Sequence, residues 1–169
     1  MKKKISLFLV LIVLTSLSSV ALADIQGLGM VTQITSSKPA TADANGVAQA
    51  DTTVCAVTLG ENNIITKISF DVVQAKVAIN NQGEIVADMA ADIKTKMELK
   101  DDYGMRKASP IGKEIHEQIE ALENWCVGKN ADEIISKELA KDDADLLAGC
   151  TISIDAYMVA MGKAVMNAK

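Results

Sequence analysis

The sequence predicts a single α+β domain in which an antiparallel sheet packs against about three helices. Strand-like segments separated by short turns fill the first half of the chain, and helical patterns of apolar residues fill the second half. One face of each strand and one stripe of each helix are apolar, so two packed layers hide both. The chain has only two Phe, two Tyr and one Trp, so the core must consist mostly of aliphatic residues, Met and Ala.

The first 23 residues have the pattern of a secretory signal peptide. Lysines at positions 2–4 precede an apolar run over residues 5–14, and small residues surround a cleavage site near Ala23. Cleavage there leaves residues 24–169 as a domain that is secreted or held at the cell envelope. An uncleaved membrane anchor is the alternative, because weakly apolar residues continue to Leu22.

The charge of the mature domain limits its partners. Loss of the three N-terminal lysines changes the formal net charge from −5 to −8. An acidic domain of this kind is not expected to bind nucleic acid or anionic membrane surfaces.

Three cysteines, an odd number for an exported protein, permit at most one internal disulfide. Cys55, Cys126 and Cys150 are 71 and 24 residues apart, which fits no zinc-binding pattern, so no metal site is predicted. Cys55 lies in a strand pattern and is expected to be buried. Cys150 adjoins the candidate site described below.

Several short segments with strand patterns predict an antiparallel meander of hairpins. The predicted strands are residues 27–34, 54–59, 64–73 and 85–87. In the third of these, Ile68, Phe70 and Val72 share one face and are expected to point into the core. Residues 36–50 contain Pro39 and an Asn-Gly pair and are predicted to be a loop.

The clearest helix pattern follows Ser109-Pro110, which is predicted to supply the N-cap and the first helical residue. Its apolar stripe consists of Ile111, Ile115, Ile119, Leu122 and Cys126. Gly128 is expected to cap the C-terminus. Asn130 and Glu133 resemble a capping box that opens a short helix over residues 131–140.

The last helix follows a solvated, acidic connector over residues 141–145. Its apolar stripe consists of Ile154, Met158, Met161 and Val165. Thr151 or Ser153 is predicted to be its N-cap. Free N–H groups and the helix dipole favour anions, so this helix start is expected to hold a phosphate beside Thr151. A plain N-cap ahead of a packing helix is the alternative.

Residues 101–105 are predicted to form a loop that carries Tyr103 and Met105. Both side chains are of a kind that packs against a flat ring. An ordinary turn with two partly buried side chains is the alternative.

Residues 145–151 read Asp-Leu-Leu-Ala-Gly-Cys-Thr. The segment resembles the attachment motif of the FMN-binding domain family, exported flavoproteins whose motif is Asp-x-x-Ser/Thr-Gly-Ala-Thr. Asp145, Gly149 and Thr151 match that motif, whereas Ala148 and Cys150 replace its Ser/Thr and its Ala. The resemblance extends over roughly residues 53–168.

The resemblance implies that a flavin transferase joins FMN to Thr151 through a phosphoester. The residues expected around the cofactor are Thr151, Asp145, Gly149, Cys150, Ser153, Tyr103 and Met105. The implied function is an electron carrier that relays electrons between redox partners at the cell envelope. A cofactor-free secreted binding module on the same fold is the alternative.

No catalytic residue is predicted. His116 is the single histidine and borders the apolar helix stripe. With no recognisable base–nucleophile pair, hydrolysis of the Ser-His-Asp kind has little support in the sequence.

Overall fold

The sheet consists of three antiparallel strands that follow one another in chain order. The structure is a computed structural model and describes residues 24–135 and 142–169. Strand β1 spans Ile25–Gln33, β2 spans Gly46–Leu59 and β3 spans Ile65–Ile79. Cys55 in the middle of β2 stands opposite Gly29 on β1 and Phe70 on β3. The predicted meander is therefore confirmed for these strands.

Side chains alternate between a buried and an exposed face of the sheet, as the period-two pattern requires. Ile68, Phe70 and Val72 are buried as predicted, and Cys55 of β2 lies on the same face with none of its surface exposed. The opposite face presents polar side chains such as Lys67 and Ser69 to solvent.

Two strand predictions were wrong. Strand β2 begins at Gly46, inside the stretch that was predicted to be a loop, because its backbone pairs with the end of β3 up to Ile79. The predicted arm at residues 85–87 forms only an isolated bridge between Ile79 and Ile85. Ile85 is 56% exposed, so no packed layer stabilises a fourth strand at this position.

Five α-helices lie in the described part of the chain, against about three predicted. They are α1 Lys96–Leu99, α2 Ile115–Cys126, α3 Ala131–Ile134, α4 Ala144–Gly149 and α5 Asp155–Met166. Helix α5 packs over β1 and β2, and α2 packs beside β3. Met158 and Met161 of the predicted stripe are almost fully buried in this layer. The predicted α+β class, an antiparallel sheet packed with helices, is confirmed.

The contact between α5 and β1 is unusually close because β1 carries two glycines on the face that meets the helix. Gly27 lies against the backbone of Ala164, and Gly29 lies against the backbone of Ala160. Beyond the helix, the backbone of Lys169 exchanges two hydrogen bonds with Gln26 of β1. The last helix is thus fixed to the edge of the sheet along its C-terminal half.

Helix α2 begins at Ile115, so the predicted start at Ser109-Pro110 was wrong. The carboxylate of Glu114 is buried and accepts hydrogen bonds from the backbone N–H groups of Met105 and Arg106, at 2.8 and 2.7 Å. A buried carboxylate needs such partners, and satisfying them holds residues 105–114 as a loop. The predicted stripe is buried from Ile115 to Cys126, and a left-handed Gly128 (φ +82°) follows the helix.

The side chain of Asn130 caps α3 as predicted by accepting hydrogen bonds from the N–H groups of Asp132 and Glu133. Three predictions fall partly or wholly outside the described residues. They are the second half of the helix predicted over residues 131–140, the acidic connector at its first residue (Lys141), and the signal peptide predicted over residues 1–23. None of the helices that the structure describes is both long and apolar enough to cross a membrane.

Candidate functional site around Thr151

The segment that joins α4 to α5 lines a cavity of about 170 Å³. Its walls are Leu146, Leu147, Cys150, Thr151, Ile152, Ser153, Ile154 and Asp155. Most of these side chains are apolar, and Thr151 is exposed at the cavity. The structure therefore brings together Thr151, Ser153 and Cys150 of the predicted site.

Thr151 is held in place by the side chain of Gln118, which lies in α2 and is fully buried. The Gln118 Oε1 atom accepts hydrogen bonds from the backbone N–H of Thr151 at 2.8 Å and from its hydroxyl at 3.2 Å. The Nε2 atom of the same amide donates to Ser109 Oγ at 3.1 Å and to the Lys113 carbonyl at 3.2 Å. Every polar atom of the buried amide is thus satisfied, and its orientation is fixed.

Neither Thr151 nor Ser153 caps the last helix, so that prediction was wrong. Helix α5 begins at Asp155 after Ile154, and no side chain accepts a hydrogen bond from its first turn. Thr151 is instead bonded to Gln118, and the Ser153 hydroxyl lies 3.4 Å from a carboxylate oxygen of Asp155. The Thr151 hydroxyl therefore bonds to the Gln118 amide of α2 and does not cap α5.

Gly149 is the last residue of α4 and permits this helix to approach α2. A Cβ at this position would stand 2.8 Å from the Cβ of Ala121, closer than carbon atoms pack. The same point lies 3.9 Å from Lys113 Nζ. Lys113 forms no ion pair with any carboxylate in the described part of the chain. Its ammonium group is therefore a free positive charge beside the predicted motif.

Cys150 turns into the core and is only 2% exposed. Burial raises the pKa of its thiol, although the Ile152 N–H and the charge of Lys113 act in the opposite direction. Burial also raises the pKa values of Cys55 and Cys126 to about 12. All three cysteines are free thiols, and Cys55 is buried as predicted. Cys150 is consequently a packing residue below Thr151 that stays protonated at neutral pH.

Asp145 lies in the first turn of α4 and is exposed. Its backbone N–H donates to Asp143 Oδ1, which is the N-cap of that helix. Asp145 is therefore close in sequence to the cavity but does not line it.

Tyr103 and Met105 do not line the cavity at Thr151. The hydroxyl of Tyr103 lies 3.4 Å from Gln74 Oε1, and Lys96 Nζ lies 5.2 Å from the centroid of its ring. Met105 packs against the core, and its backbone N–H donates to Glu114. Tyr103 ends a short 3₁₀ helix over Lys100–Tyr103, where the sequence predicted a loop, and Met105 follows it.

The sequence pattern did not assign Gln118 or Lys113 to this site. Lys113 was expected to pair with Glu117 on the solvated side of the helix, which was wrong, because Glu117 pairs with Arg106 at 3.0 Å. Gln118 occupies a position between Ile115 and Leu122 on the apolar stripe of α2. A polar residue on such a stripe must find hydrogen-bond partners when it is buried, so its place in the pattern was the available signal.

We expect Gln118→Leu to lower the free energy of unfolding by about 2 kcal/mol, because the N–H of Thr151 and the carbonyl of Lys113 each lose a partner. Denaturant unfolding measures the loss, and amide hydrogen exchange should become faster at Thr151. Gln82→Leu, in an exposed turn, is the matched control and should change stability by less than about 0.5 kcal/mol. Equal unfolding midpoints for the two variants would contradict the role given to Gln118.

No protein-family model, no curated protein and no solved structure matches the chain.

Proposed function

We propose that the chain is an exported electron carrier that holds FMN through a phosphoester on Thr151. The observation that supports this best is the Thr151 hydroxyl itself. It is exposed to solvent at an apolar cavity, on a peptide that a buried amide holds rigid. A transferase can reach such a hydroxyl, and the attached group would then have one defined position.

The residues around Thr151 fit a phosphate group. Lys113 places an ammonium group, which pairs with no carboxylate of residues 24–135 or 142–169, beside Gly149. Helix α5 begins without a side-chain cap, so its first N–H groups remain available to an anion. The Asp155 carboxylate in the first turn opposes this attraction, which makes the charge of Lys113 the more important contribution.

The cavity fits a ring that is supported on one side rather than enclosed. Its volume of about 170 Å³ is smaller than the roughly 300 Å³ at which enclosed ligand sites begin. A flavin ring would lie across Leu147, Ile152 and Ile154, of which Leu147 is 44% exposed. An exposed ring edge suits an electron carrier, because a redox partner can approach it directly.

The chain's own residues would hold and orient the cofactor, and FMN when bound supplies the redox chemistry. Gln118 fixes the peptide of Thr151, and Lys113 compensates the negative charge of a phosphate. Asp145 lies exposed on α4, where a flavin transferase or the metal that accompanies its nucleotide can contact it. The proposed partners are thus a flavin transferase and redox proteins at the cell envelope.

Co-expression with a flavin transferase tests the proposal on the wild-type chain. Intact mass should increase by one FMN less one water, and the denatured protein band should fluoresce as flavin. A mass without this increase would contradict the proposal. The small cavity and the departures at Ala148 and Cys150 would then favour the second candidate, a cofactor-free secreted binding module.

A further inference from the structure

We propose that a second site, at the far end of the sheet, binds a small organic or inorganic polyanion between Lys76, Lys94 and Lys96. These residues line a cavity of about 240 Å³. The remaining walls are Gln74, Leu99, Asp102 and Tyr103. This second site is independent of the flavin proposal.

The cavity is built from two parts of the chain, strand β3 and the continuous segment over residues 94–103. Lys76 and Gln74 stand on β3, Lys94 precedes α1, and Lys96 is the first residue of that helix. The short 3₁₀ helix over Lys100–Tyr103 closes the remaining side. Because neighbouring elements converge on one space, the three lysines surround the cavity rather than being scattered over a surface.

The lysines of this cavity stand out in an acidic protein. The chain has 17 basic and 22 acidic residues, yet three lysine residues line one cavity, Lys76 and Lys94 with exposed side chains and Lys96 half-buried. None of the three forms an ion pair in residues 24–135 or 142–169. Burial lowers the pKa of Lys96, and the like charge of Lys76 lowers it further, while Asp51 has the opposite effect. The Tyr103 ring, 5.2 Å from Lys96 Nζ, compensates part of this cost, and a multivalent anion would relieve the remaining repulsion between the lysines.

Two carboxylates near the site reduce its positive charge without removing it. Asp102 is part of the wall, and Asp51 acts on both Lys96 and Tyr103. Asp51 is already bonded by Gln49 Nε2, at 2.8 and 3.0 Å from its two oxygens. Three ammonium groups against two carboxylates leave an excess of positive charge inside an acidic protein.

The shape and donors of the cavity define the chemical class of the ligand. A space of about 240 Å³ is below the roughly 300 Å³ of drug-sized sites, so the ligand is small. Its charges are expected to be oxyanions, because lysine ammonium groups and the Gln74 side-chain N–H groups are hydrogen-bond donors, while the Tyr103 hydroxyl already donates to Gln74 Oε1 at 3.4 Å. Compact di- or tricarboxylates and phosphorylated small molecules share this chemistry.

Isothermal titration with citrate and with pyrophosphate, against sodium chloride at equal ionic strength, tests the site. Wild-type protein should bind at least one of the two saturably and with one-to-one stoichiometry. Tighter binding of citrate identifies a polycarboxylate site, and tighter binding of pyrophosphate identifies a phosphate site. Absence of saturable binding to both would overturn the proposal.

Lys96→Gln should weaken this binding by about tenfold or more, since it removes a charged donor from the cavity. Lys76→Gln is a second variant with an exposed side chain, so the test does not depend on the folding of one mutant. Lys67→Gln is the matched control, because Lys67 lies on the same strand but on the opposite, solvent-exposed face. An equal loss of affinity in all three variants would show a general charge effect and refute a built site.

Discussion

Thr151→Ala is expected to abolish covalent flavin attachment while the domain remains folded. The substitution removes the acceptor oxygen but leaves the backbone N–H of Thr151 bonded to Gln118 at 2.8 Å. The lost hydroxyl bond to the same amide is worth about 1 kcal/mol, which a folded domain tolerates. Flavin fluorescence in a denaturing gel and intact mass, after co-expression with a flavin transferase, measure the result.

Three further variants separate the acceptor from its surroundings. Thr151→Ser keeps a hydroxyl on the peptide that is bonded to Gln118, so this variant should still be modified. Ser153→Ala should also be modified, since Ser153 contacts Asp155 rather than the acceptor. Asp145→Ala should lower the yield of modification without touching the acceptor oxygen. Flavin that persists on Thr151→Ala would place the attachment elsewhere.

Lys113→Gln examines the phosphate environment in the same assay. The Lys113 ammonium group lies 3.9 Å from the point where a Cβ on Gly149 would stand, and it forms no ion pair among the described residues. Its loss should leave folding intact, because Lys113 precedes α2 and its carbonyl still accepts from Gln118. A lower yield of modification would connect this residue, which sequence reasoning missed, to the proposed site.

The α+β class could be predicted from the sequence because local patterns determine which faces are apolar. The alternation of Ile68, Phe70 and Val72, and the spacing of Met158 and Met161, carry that information in neighbouring residues. Each of these side chains is buried in the structure. Local periodicity was sufficient here since the core is a single layer between one sheet and the helices.

The predictions failed where distant partners decide local structure. The predicted cap at Thr151 was wrong because the last helix begins only at Asp155, while the Thr151 hydroxyl donates to Gln118, 33 residues earlier. The predicted start of α2 was wrong because the buried Glu114 carboxylate accepts hydrogen bonds from the backbone N–H groups of Met105 and Arg106. Strand β2 begins earlier than predicted, since pairing with β3 stabilises a segment whose own sequence resembles a loop. The residue pattern of a single segment cannot predict these contacts, because their partners lie in other segments.

The candidate site lies just before α5, so its position depends on the contact between this helix and β1. Two glycines of β1 let the helix backbone lie directly on the sheet. Sequence reasoning assigned residues 27–34 to a strand but did not assign this role to Gly27 and Gly29. Their spacing of two places them on one face of the strand, which was the signal for a close backbone approach.

Gly29→Ala is expected to lower the free energy of unfolding by at least about 3 kcal/mol. The added Cβ would stand 2.9 Å from the carbonyl carbon of Lys163 and still closer to the backbone of Ala160 and Ala164. Backbone atoms of a helix cannot rotate away as a side chain does, so α5 must separate from β1. Thermal or denaturant unfolding measures the effect.

Gly162→Ala provides the matched control, because it introduces the same methyl group into α5, the helix that Gly29 of β1 faces. Its Cβ would meet only the Cγ2 atom of Ile135, at an ordinary contact distance of 3.6 Å. Alanine is favoured over glycine inside a helix by about 1 kcal/mol, so this variant should be equally or more stable than wild type. If Gly29→Ala were as stable as Gly162→Ala, the helix would not lie against the strand as described. If it is destabilised, the segment from Thr151 to Asp155 should also lose its fixed position, and faster hydrogen exchange at Thr151 would show this.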